Sequence, residues 1–438
     1  MIRFINFELE YMKAYMKKYN LLLVMLVVCG ITYAQEPTVQ DSGLVPDGTQ
    51  GEVFRPATLD SVTQQPELKL NEFDGPLASL KFGGGIMYEY AGYDQDEESK
   101  SQVSPEAGHK LRDARFTMSG KFKTKREITY KVGIMYDGNN KSWFMRETGV
   151  MIKLKEARGH VFIGRTKEGY SLSKVMVGYA IWHFERNTAI DIIPILADGI
   201  KYIGYLPKSR ILWNIGMFTD WLSEDQSFST YQYQFASRVA WLPVFTDTYK
   251  PVLHIGGNYR YGKIDDGSIR VRSKPEVSGA PYYVDSDVFD SDHSNSFGGE
   301  VYYRNGKFLF GTEYHMHQFD APDKGNPVFG GGEAFIAYMF TGEVKPYYTF
   351  NGIFGFVKVK RPVFEGGWGA LEGMLRITNM DVDDGTIEGG KYWRITPMIN
   401  WFLNDHIRLF LNYGYTVLDR YNTEGATHVF QSRVLFSL

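Results

Sequence analysis

The chain has 438 residues, of which 43% are hydrophobic, 16% aromatic and 23% charged, and its formal net charge is −3. Outside a short N-terminal segment, no apolar run approaches the roughly 20 residues that a membrane-spanning helix needs, which excludes helical spanning. The small net charge gives no sign of a nucleic-acid partner and identifies no other class of partner.

The N-terminal segment has the three parts of a secretory signal. Residues 16–18 are basic at two positions, residues 21–28 form an apolar stretch, and residues 32–34 end in alanine, a small residue suited to cleavage. We therefore predict a signal peptide over residues 1–34. Met16 is an alternative start of translation.

The exported chain begins with a segment unlike the rest. The single cysteine, Cys29, lies within the predicted signal, so we expect neither a thiol nor a disulfide after export. Residues 35–76 contain several prolines, few aromatic residues and no periodicity, which predicts a flexible periplasmic arm.

From residue 77 to residue 438, polar and apolar residues alternate along many short runs, which is typical of β-strands. The clearest runs lie at 392–438, where the apolar faces carry Trp and Tyr and the opposite faces carry Arg. A barrel in lipid has this pattern, with an apolar aromatic belt outside and a polar lumen. At about 10 residues per strand plus turns, the length predicts about 16 strands. The predicted fold class is all-β, a transmembrane antiparallel β-barrel whose wall includes the runs at 269–274 and 344–354.

Residues 168–197 interrupt this pattern. They form a stretch of about 30 residues without alternation, which is long for a connection in a compact protein. Their mixed apolar and charged composition predicts that they pack against something. We expect this stretch to pack against the inner wall of the barrel.

Basic residues recur on the faces opposite the apolar ones. These residues are Arg115, Lys121, Lys131, Lys153, Arg238, Arg260, Arg270, Arg272, Lys274, Arg376, Arg394, Arg408 and Arg433. Fewer acids share those faces; Glu300, Glu313 and Glu372 are the clearest, and Glu372 is a candidate partner of Arg376. Other acids concentrate in the loops at 94–98, 285–292 and 381–384. The pattern predicts a cationic lumen that favours anions, although wall arginines paired with acids for rigidity remain an alternative.

Four stretches resemble the phosphate-selective porin family of Gram-negative outer membranes. They lie at 111–122, 164–186, 270–276 and 369–413, and the last is the most specific. The resemblance implies a 16-stranded homotrimeric barrel in outer-membrane lipid. It also implies a third loop that narrows the pore and basic residues that guide phosphate, polyphosphate or related anions.

Carried over by position, the resemblance adds Arg165, Lys167 and Arg186 to the candidate pore residues. It also supports Arg115, Arg270, Arg272 and Lys274 in that role. The chain departs from the family pattern at Asp113, where the family has a second arginine, and this removes a positive charge near the expected constriction.

Two further functions stay open at this point. The first is a plugged or weakly selective structural or surface barrel, which inward residues such as Phe402 and Phe410 fit. The second is an outer-membrane enzyme, for which His183 with Glu185, and His315 with His317, are the candidate clusters. Because no nucleophile motif or complete ligand set accompanies them, we predict no catalytic site, no metal and no cofactor.

Overall fold

The computed structural model describes residues 71–222 and 230–438. The predicted signal peptide and residues 35–70 of the predicted arm lie outside the described residues. Within the last part of the arm, Glu72–Asp74 form a short strand that pairs with Ser79–Lys81. None of the helices in the described ranges is long and apolar enough to cross a membrane.

The described residues are mostly strands. In chain order these are β1 (Glu72–Asp74), β2 (Ser79–Gln95), β3 (Gly108–Phe122), β4 (Ile128–Asp137), β5 (Ser142–Met145), β6 (Thr148–Leu154), β7 (Gly159–Thr166), β8 (Ala197–Leu206), β9 (Ile211–Thr219), β10 (Tyr231–Val244), β11 (Val252–Ile264), β12 (Ser268–Ser273), β13 (Val284–Asp290), β14 (His293–Asn305), β15 (Phe308–Phe319), β16 (Val328–Met339), β17 (Tyr347–Tyr348), β18 (Ile353–Phe354), β19 (Ala370–Asp384), β20 (Ile387–Phe402), β21 (Ile407–Arg420) and β22 (Thr423–Ser437). The helices are α1 (Glu97–Gln102) and α2 (Leu172–Val175), and 3₁₀ turns lie at Thr188–Ile192, Pro322–Lys324 and Val363–Glu365.

Seventeen of these strands, β2–β11, β14–β16 and β19–β22, form a closed antiparallel barrel with sixteen wall positions, which confirms the predicted fold class. Each wall strand pairs with its neighbour along the chain, and β22 closes the barrel by pairing with β2 from Gly85–Ser437 to Gln95–Thr427. β5 and β6 lie one after the other along β4 and together make one wall position. Closure pairs the first and last wall strands with each other, whereas β5 pairs with β4 alone among the described strands.

Side chains alternate between the two faces of the wall, as the sequence predicts. Trp393, Leu411 and Phe430 point outward and are 41%, 47% and 52% exposed, whereas Arg394 and Arg433 point into the barrel and are buried. Each strand therefore has one apolar face and one face that packs against the contents of the lumen. This two-sided environment is what imposes the period of two on the sequence.

The strands run between two rims. Leu438 lies on the rim that also holds the short turns 123–127 and 155–158, here called the C-terminal rim. The opposite rim, the loop rim, holds the connection between β7 and β8. This connection, residues 167–196 (loop 3), folds into the lumen, where the amide of Leu172 donates to Glu300 Oε2 at 2.8 Å. The predicted insertion of the third loop is thus observed.

Two more segments fold inward that the sequence analysis assigned differently. Residues 265–292 enter from the loop rim and carry the hairpin β12–β13, so the run at 269–274 is not a wall strand. Residues 340–369 enter from the C-terminal rim with the short hairpin β17–β18, so the run at 344–354 is not a wall strand either. Arg394 donates to Pro275 O of the first segment at 2.5 Å.

Candidate functional site

Two cavities in the lumen are lined by residues that the structure describes. The larger, about 530 Å³, opens toward the loop rim and is lined by loop 3, the β12–β13 segment and the neighbouring wall. The smaller, about 290 Å³, lies toward the C-terminal rim. Arg115, Arg146, Gly178 and Tyr179 border both cavities and so lie between them, and the place that they occupy is here called the narrowing.

One side of the narrowing is held by Arg115 of β3. Its Nη2 lies 2.6 Å from Asp113 Oδ2, and its guanidinium lies 4.3 Å from the centre of the Tyr179 ring. Asp113 also accepts a hydrogen bond from the Tyr179 hydroxyl at 2.9 Å. Loop 3 can approach the Arg115 side chain closely because residue 178 is glycine. A Cβ at this residue would lie 2.2 Å from Arg115 Nη1.

The other side of the narrowing carries Arg146, which lies in the break between β5 and β6. Its backbone amide donates to Gly133 O at 2.7 Å, which fixes the chain in this break. Arg146 is 9% exposed, and no carboxylate oxygen of the described residues lies within 4.0 Å of its guanidinium nitrogens. Its positive charge therefore faces the passage without a paired acid.

The larger cavity has more cations than acids along its lining. The cations are Arg112, Arg115, Arg146, Arg186, Arg270, Arg272, Lys274 and Arg433, and the acids are Asp137, Glu185, Asp191 and Glu276. Eight positive side chains thus face four carboxylates. Some of these are tied to each other: Arg433 Nη2 and Arg112 Nε lie 2.7 Å and 3.1 Å from Glu185 Oε1.

Seven of the predicted pore residues line a cavity. Six line the larger one, namely Arg115, Arg186, Arg270, Arg272, Lys274 and Arg433, and Arg115 also lines the smaller one, as does Lys131. Lys131 pairs with Glu147 at 2.9 Å. Arg186 reaches the passage from loop 3, where its Nη2 donates to Met176 O at 3.0 Å.

The three basic residues at 270–274 reach the larger cavity from the inserted hairpin and not from the wall. Arg270 Nε lies 2.7 Å from Asp285 Oδ1 on β13. Burial raises the pKa of the Asp285 carboxyl, but this hydrogen bond, the Asp287 backbone amide and the charges of Arg270 and Arg272 together hold the pKa below its usual value. Arg272 lies over the Tyr282 ring, 4.3 Å from its centre.

The other predicted residues line neither cavity, and most of them join buried polar contacts in the wall. Arg238 pairs with Glu300 at 2.7 Å, Arg260 with Glu168 at 3.2 Å, Arg376 with Glu333 at 2.5 Å, Arg394 with Glu276 at 3.9 Å and Arg165 with Asp198 at 3.8 Å. Arg408 donates to Ile181 O at 2.6 Å, Lys167 donates to Met176 O, and Lys121 is half-buried. Arg260, Arg394 and Arg408 thereby tie inserted segments to the wall, and Arg238 and Arg376 do so by donating to the carbonyl oxygens of Asn351 and Glu185.

One expectation about charge is wrong. The candidate pair Arg376–Glu372 does not form: Glu372 lies 2.8 Å from Lys345, and Arg376 pairs with Glu276 and Glu333. The interior also holds acids beyond the three named from the sequence, among them Glu89, Asp113, Glu168, Glu276 and Glu333. Glu168 and Glu276 belong to segments that fold inward, so their position in a loop did not indicate exposure.

Two residues of the passage were missing from the predicted set, Arg112 and Arg146. Register shifts by one residue between the pairs Met87–Asp113 and Tyr88–Leu111, which leaves Arg112 extra in β3. Such a bulge turns consecutive side chains inward. Arg146 lies between two strands, where alternation assigns no face. The one available signal for Arg112 was the motif at 111–116, which contains it.

The histidine clusters considered for an enzyme are part of buried packing. His315 Nε2 lies 3.0 Å from Glu313 Oε2, and His317 Nδ1 lies 2.8 Å from Ser296 Oγ. Among the described residues, the side chains whose ligand atoms lie within 4.8 Å of one another are those of Asp292, His293 and Asp320. Lys263 pairs with Asp292 and competes with a cation for that carboxylate.

The chain has recognisable relatives. The family model of phosphate-selective porins O and P matches residues 80–438. A protein of Caulobacter vibrioides, described only as uncharacterized, is 26% identical over 166 residues, which are 37% of this chain and 33% of that protein. The chain therefore spans about a third of the length of that relative.

Solved outer-membrane proteins share the fold at low sequence identity. OprB of Pseudomonas putida is 9% identical with a TM-score of 0.55, covering 82% of this chain and 94% of that chain. The channel DcaP of Acinetobacter baumannii is 10% identical with a TM-score of 0.52, covering 84% and 100%. The anion-selective porin from Comamonas acidovorans is 11% identical with a TM-score of 0.51, covering 82% and 100%.

Proposed function

This chain belongs to the phosphate-selective porin O and P family, and we propose that small anions cross the outer membrane through it by passive diffusion. The family and the fold place the chain in the outer membrane of a Gram-negative cell and indicate a channel rather than an enzyme. The proposal concerns selectivity, and phosphate and polyphosphate are the candidate solutes because of the family.

The observation that carries the proposal is the charge at the narrowing. Arg115 is offset by Asp113, whereas Arg146 has no carboxylate within 4.0 Å among the described residues. In a confined passage, water screens charge less than in bulk, so an unpaired guanidinium attracts anions and repels cations. Arginine also presents a planar fork of donors that matches phosphate and carboxylate oxygens.

The larger cavity supplies the approach to this narrowing. Its eight cationic and four acidic side chains raise the local concentration of anions above that in bulk. Several of these cations also form ion pairs with acids or hydrogen bonds to carbonyl groups. These cations therefore hold an anion weakly. Weak sites in series let an anion enter and leave, as conduction requires.

We also propose the homotrimer that the family resemblance implies, with the outward apolar belt in lipid. Chemical crosslinking in detergent, with the species separated by size, tests the subunit number.

A plugged barrel is the second candidate function, and a specific observation favours it. Residues 167–196, 265–292 and 340–369 all enter the lumen and fill much of it, and the two cavities described above are separated at the narrowing. Single-channel recording separates the two: steady current supports the channel, and its absence supports the plug.

Substitution of Arg146 tests the anion preference. Arg146→Gln removes one full charge next to the permeating ion, and one charge at about 4 Å is worth about 1 kcal/mol even in water, with opposite sign for an anion and a cation. The anion-to-cation permeability ratio should therefore fall by at least about fivefold. The matched control is Arg126→Gln, because Arg126 lies in a turn, pairs with Glu156 and lines neither cavity. If both variants keep the wild-type ratio, Arg146 does not set selectivity.

A further inference from the structure

Part of the lining of the larger cavity is apolar, and the proposed preference for anions does not depend on this part. Loop 3 contributes Pro194 and Ile195, both half-buried, beside the buried Ile192 and Ile193. The half-buried ring of Phe144 on β5 lines the same cavity. Half-buried aliphatic and aromatic groups that border a water-filled space offer contact to an apolar solute.

Basic and apolar groups reach this cavity from two elements that are packed together. Along β12, Ile269 and Val271 are buried in the same core as Ile190 and Ile192 of loop 3. The hydroxyl of Ser273 lies 2.9 Å from the Asp191 carboxylate and ties the two elements. The intervening side chains of Arg270 and Arg272 alternate to the other face of β12 and line the cavity.

The position of these groups is fixed before any solute arrives. Arg272 is held over the Tyr282 ring at 4.3 Å, and Arg270 is held by Asp285. A cavity of about 530 Å³ lies within the size range of small-molecule sites, roughly 300–1,000 Å³. The cavity can therefore hold a solute larger than a single inorganic ion.

An inorganic anion and an organic anion use such a cavity differently. Chloride or phosphate engages the cations alone. An anion with an alkyl or aryl body also removes apolar surface from water against loop 3, and each fully buried methylene is worth about fourfold in affinity.

We infer that the larger cavity is a binding site for organic anions that carry an apolar body. The anionic head lies at Arg270 and Arg272 of β12, and the apolar body lies against Pro194, Ile195 and Phe144. The inference rests on the proposed function, because it names the solute class of the same anion passage. It differs from that proposal in making the apolar wall a determinant of specificity.

Block of chloride current by a pair of sulfonates tests the inference. Methanesulfonate and pentanesulfonate have the same head group and stay ionised, but they differ in the length of the apolar body. Partial burial of the longer chain should make pentanesulfonate block at a concentration about tenfold lower than methanesulfonate. Equal blocking concentrations would overturn the inference.

Substitution of Ile195 locates the effect. Ile195→Ser should reduce the ratio of the two blocking concentrations at least threefold, to about three, and leave block by methanesulfonate unchanged. Ile195→Leu keeps the apolar surface and should keep the wild-type ratio. If Ile195→Ser and Phe144→Ser both fold as barrels and keep the full ratio, the apolar body binds elsewhere and the assignment to this wall is wrong.

The same recordings separate this inference from the proposed function. Anion preference with equal block by the two sulfonates contradicts the inference alone. Cation preference in the reversal potential contradicts the proposed function, whatever the sulfonates do.

Discussion

Arg115 Nη2 lies 2.6 Å from Oδ2 of Asp113, a carboxylate that is fully buried at the narrowing of the passage. The departure from the family motif at Asp113 therefore has a definite structural result. It offsets the charge of Arg115 and leaves Arg146 as the cation at the narrowing without a paired acid among the described residues.

Neutralising Asp113 should increase anion preference. In Asp113→Asn the charge of Arg115 is no longer offset, and one unit charge at about 4 Å shifts the energies of an anion and a cation by about 1 kcal/mol in opposite directions. The anion-to-cation permeability ratio should therefore rise by at least about fivefold. The reversal potential under a KCl gradient measures this ratio. Asp74→Asn is the control, because Asp74 pairs with Lys123 in the β1 region and lines neither cavity. An unchanged or lower permeability ratio in Asp113→Asn would contradict the conclusion that Asp113 offsets the charge of Arg115.

A methyl group at residue 178 should narrow the passage. The Cβ in Gly178→Ala would lie 2.2 Å from Arg115 Nη1, the end of a flexible side chain, so the guanidinium must move. We expect lower single-channel conductance with a change in unfolding free energy within about 1 kcal/mol. Gly299→Ala is the matched control, because its Cβ would meet no atom within 4 Å. Wild-type conductance in Gly178→Ala would mean that the narrowing lies elsewhere.

Removing the segment that enters from the C-terminal rim should widen the channel. Tyr347 and Phe354 of β17–β18 are buried in the lumen, and Arg238 Nη1 donates to Asn351 O at 2.8 Å. Replacing residues 344–366 by a short turn should raise single-channel conductance several-fold. Shortening the 3₁₀ turn Pro322–Lys324 at the loop rim should leave the conductance unchanged. Equal conductance in both variants would show that residues 340–369 do not limit the current.

The buried pair Arg238–Glu300 should matter for stability. Both side chains are inaccessible and their charged atoms lie 2.7 Å apart, so Glu300→Gln leaves an uncompensated buried charge and should cost about 3 kcal/mol. Glu156→Gln breaks the pair of Glu156 with Arg126, whose side chains are 69% and 46% exposed, and should cost less than about 1 kcal/mol. Urea unfolding in detergent measures both. Similar costs in the two variants would argue against a structural role for the buried pair.

The barrel was predictable because its strands lie between two environments. Trp393 and Leu411 face outward while Arg394 and Arg408 face the lumen, and this division imposes alternation along each strand. The same physics explains the error at 269–274. β12 also has one buried and one exposed face, since Ile269 packs on loop 3 while Arg270 faces water. Its polar and apolar residues therefore alternate as those of a wall strand do.

The narrowing was less predictable because irregular backbone builds it. Arg146 lies in a break between strands, and Arg112 lies in a bulge. Periodicity assigns no face to such residues. Glu168 and Glu276 belong to connections, and only the fold brings them into the lumen beside Arg260 and Arg376.

The measurement that tests the central claim most directly is the reversal potential of the wild-type channel in a planar bilayer with KCl more concentrated on one side. Arg146 at the narrowing and the excess of cations in the larger cavity predict that chloride crosses faster than potassium. The dilute side should then become negative. A positive potential on the dilute side would mean cation preference and would contradict the account.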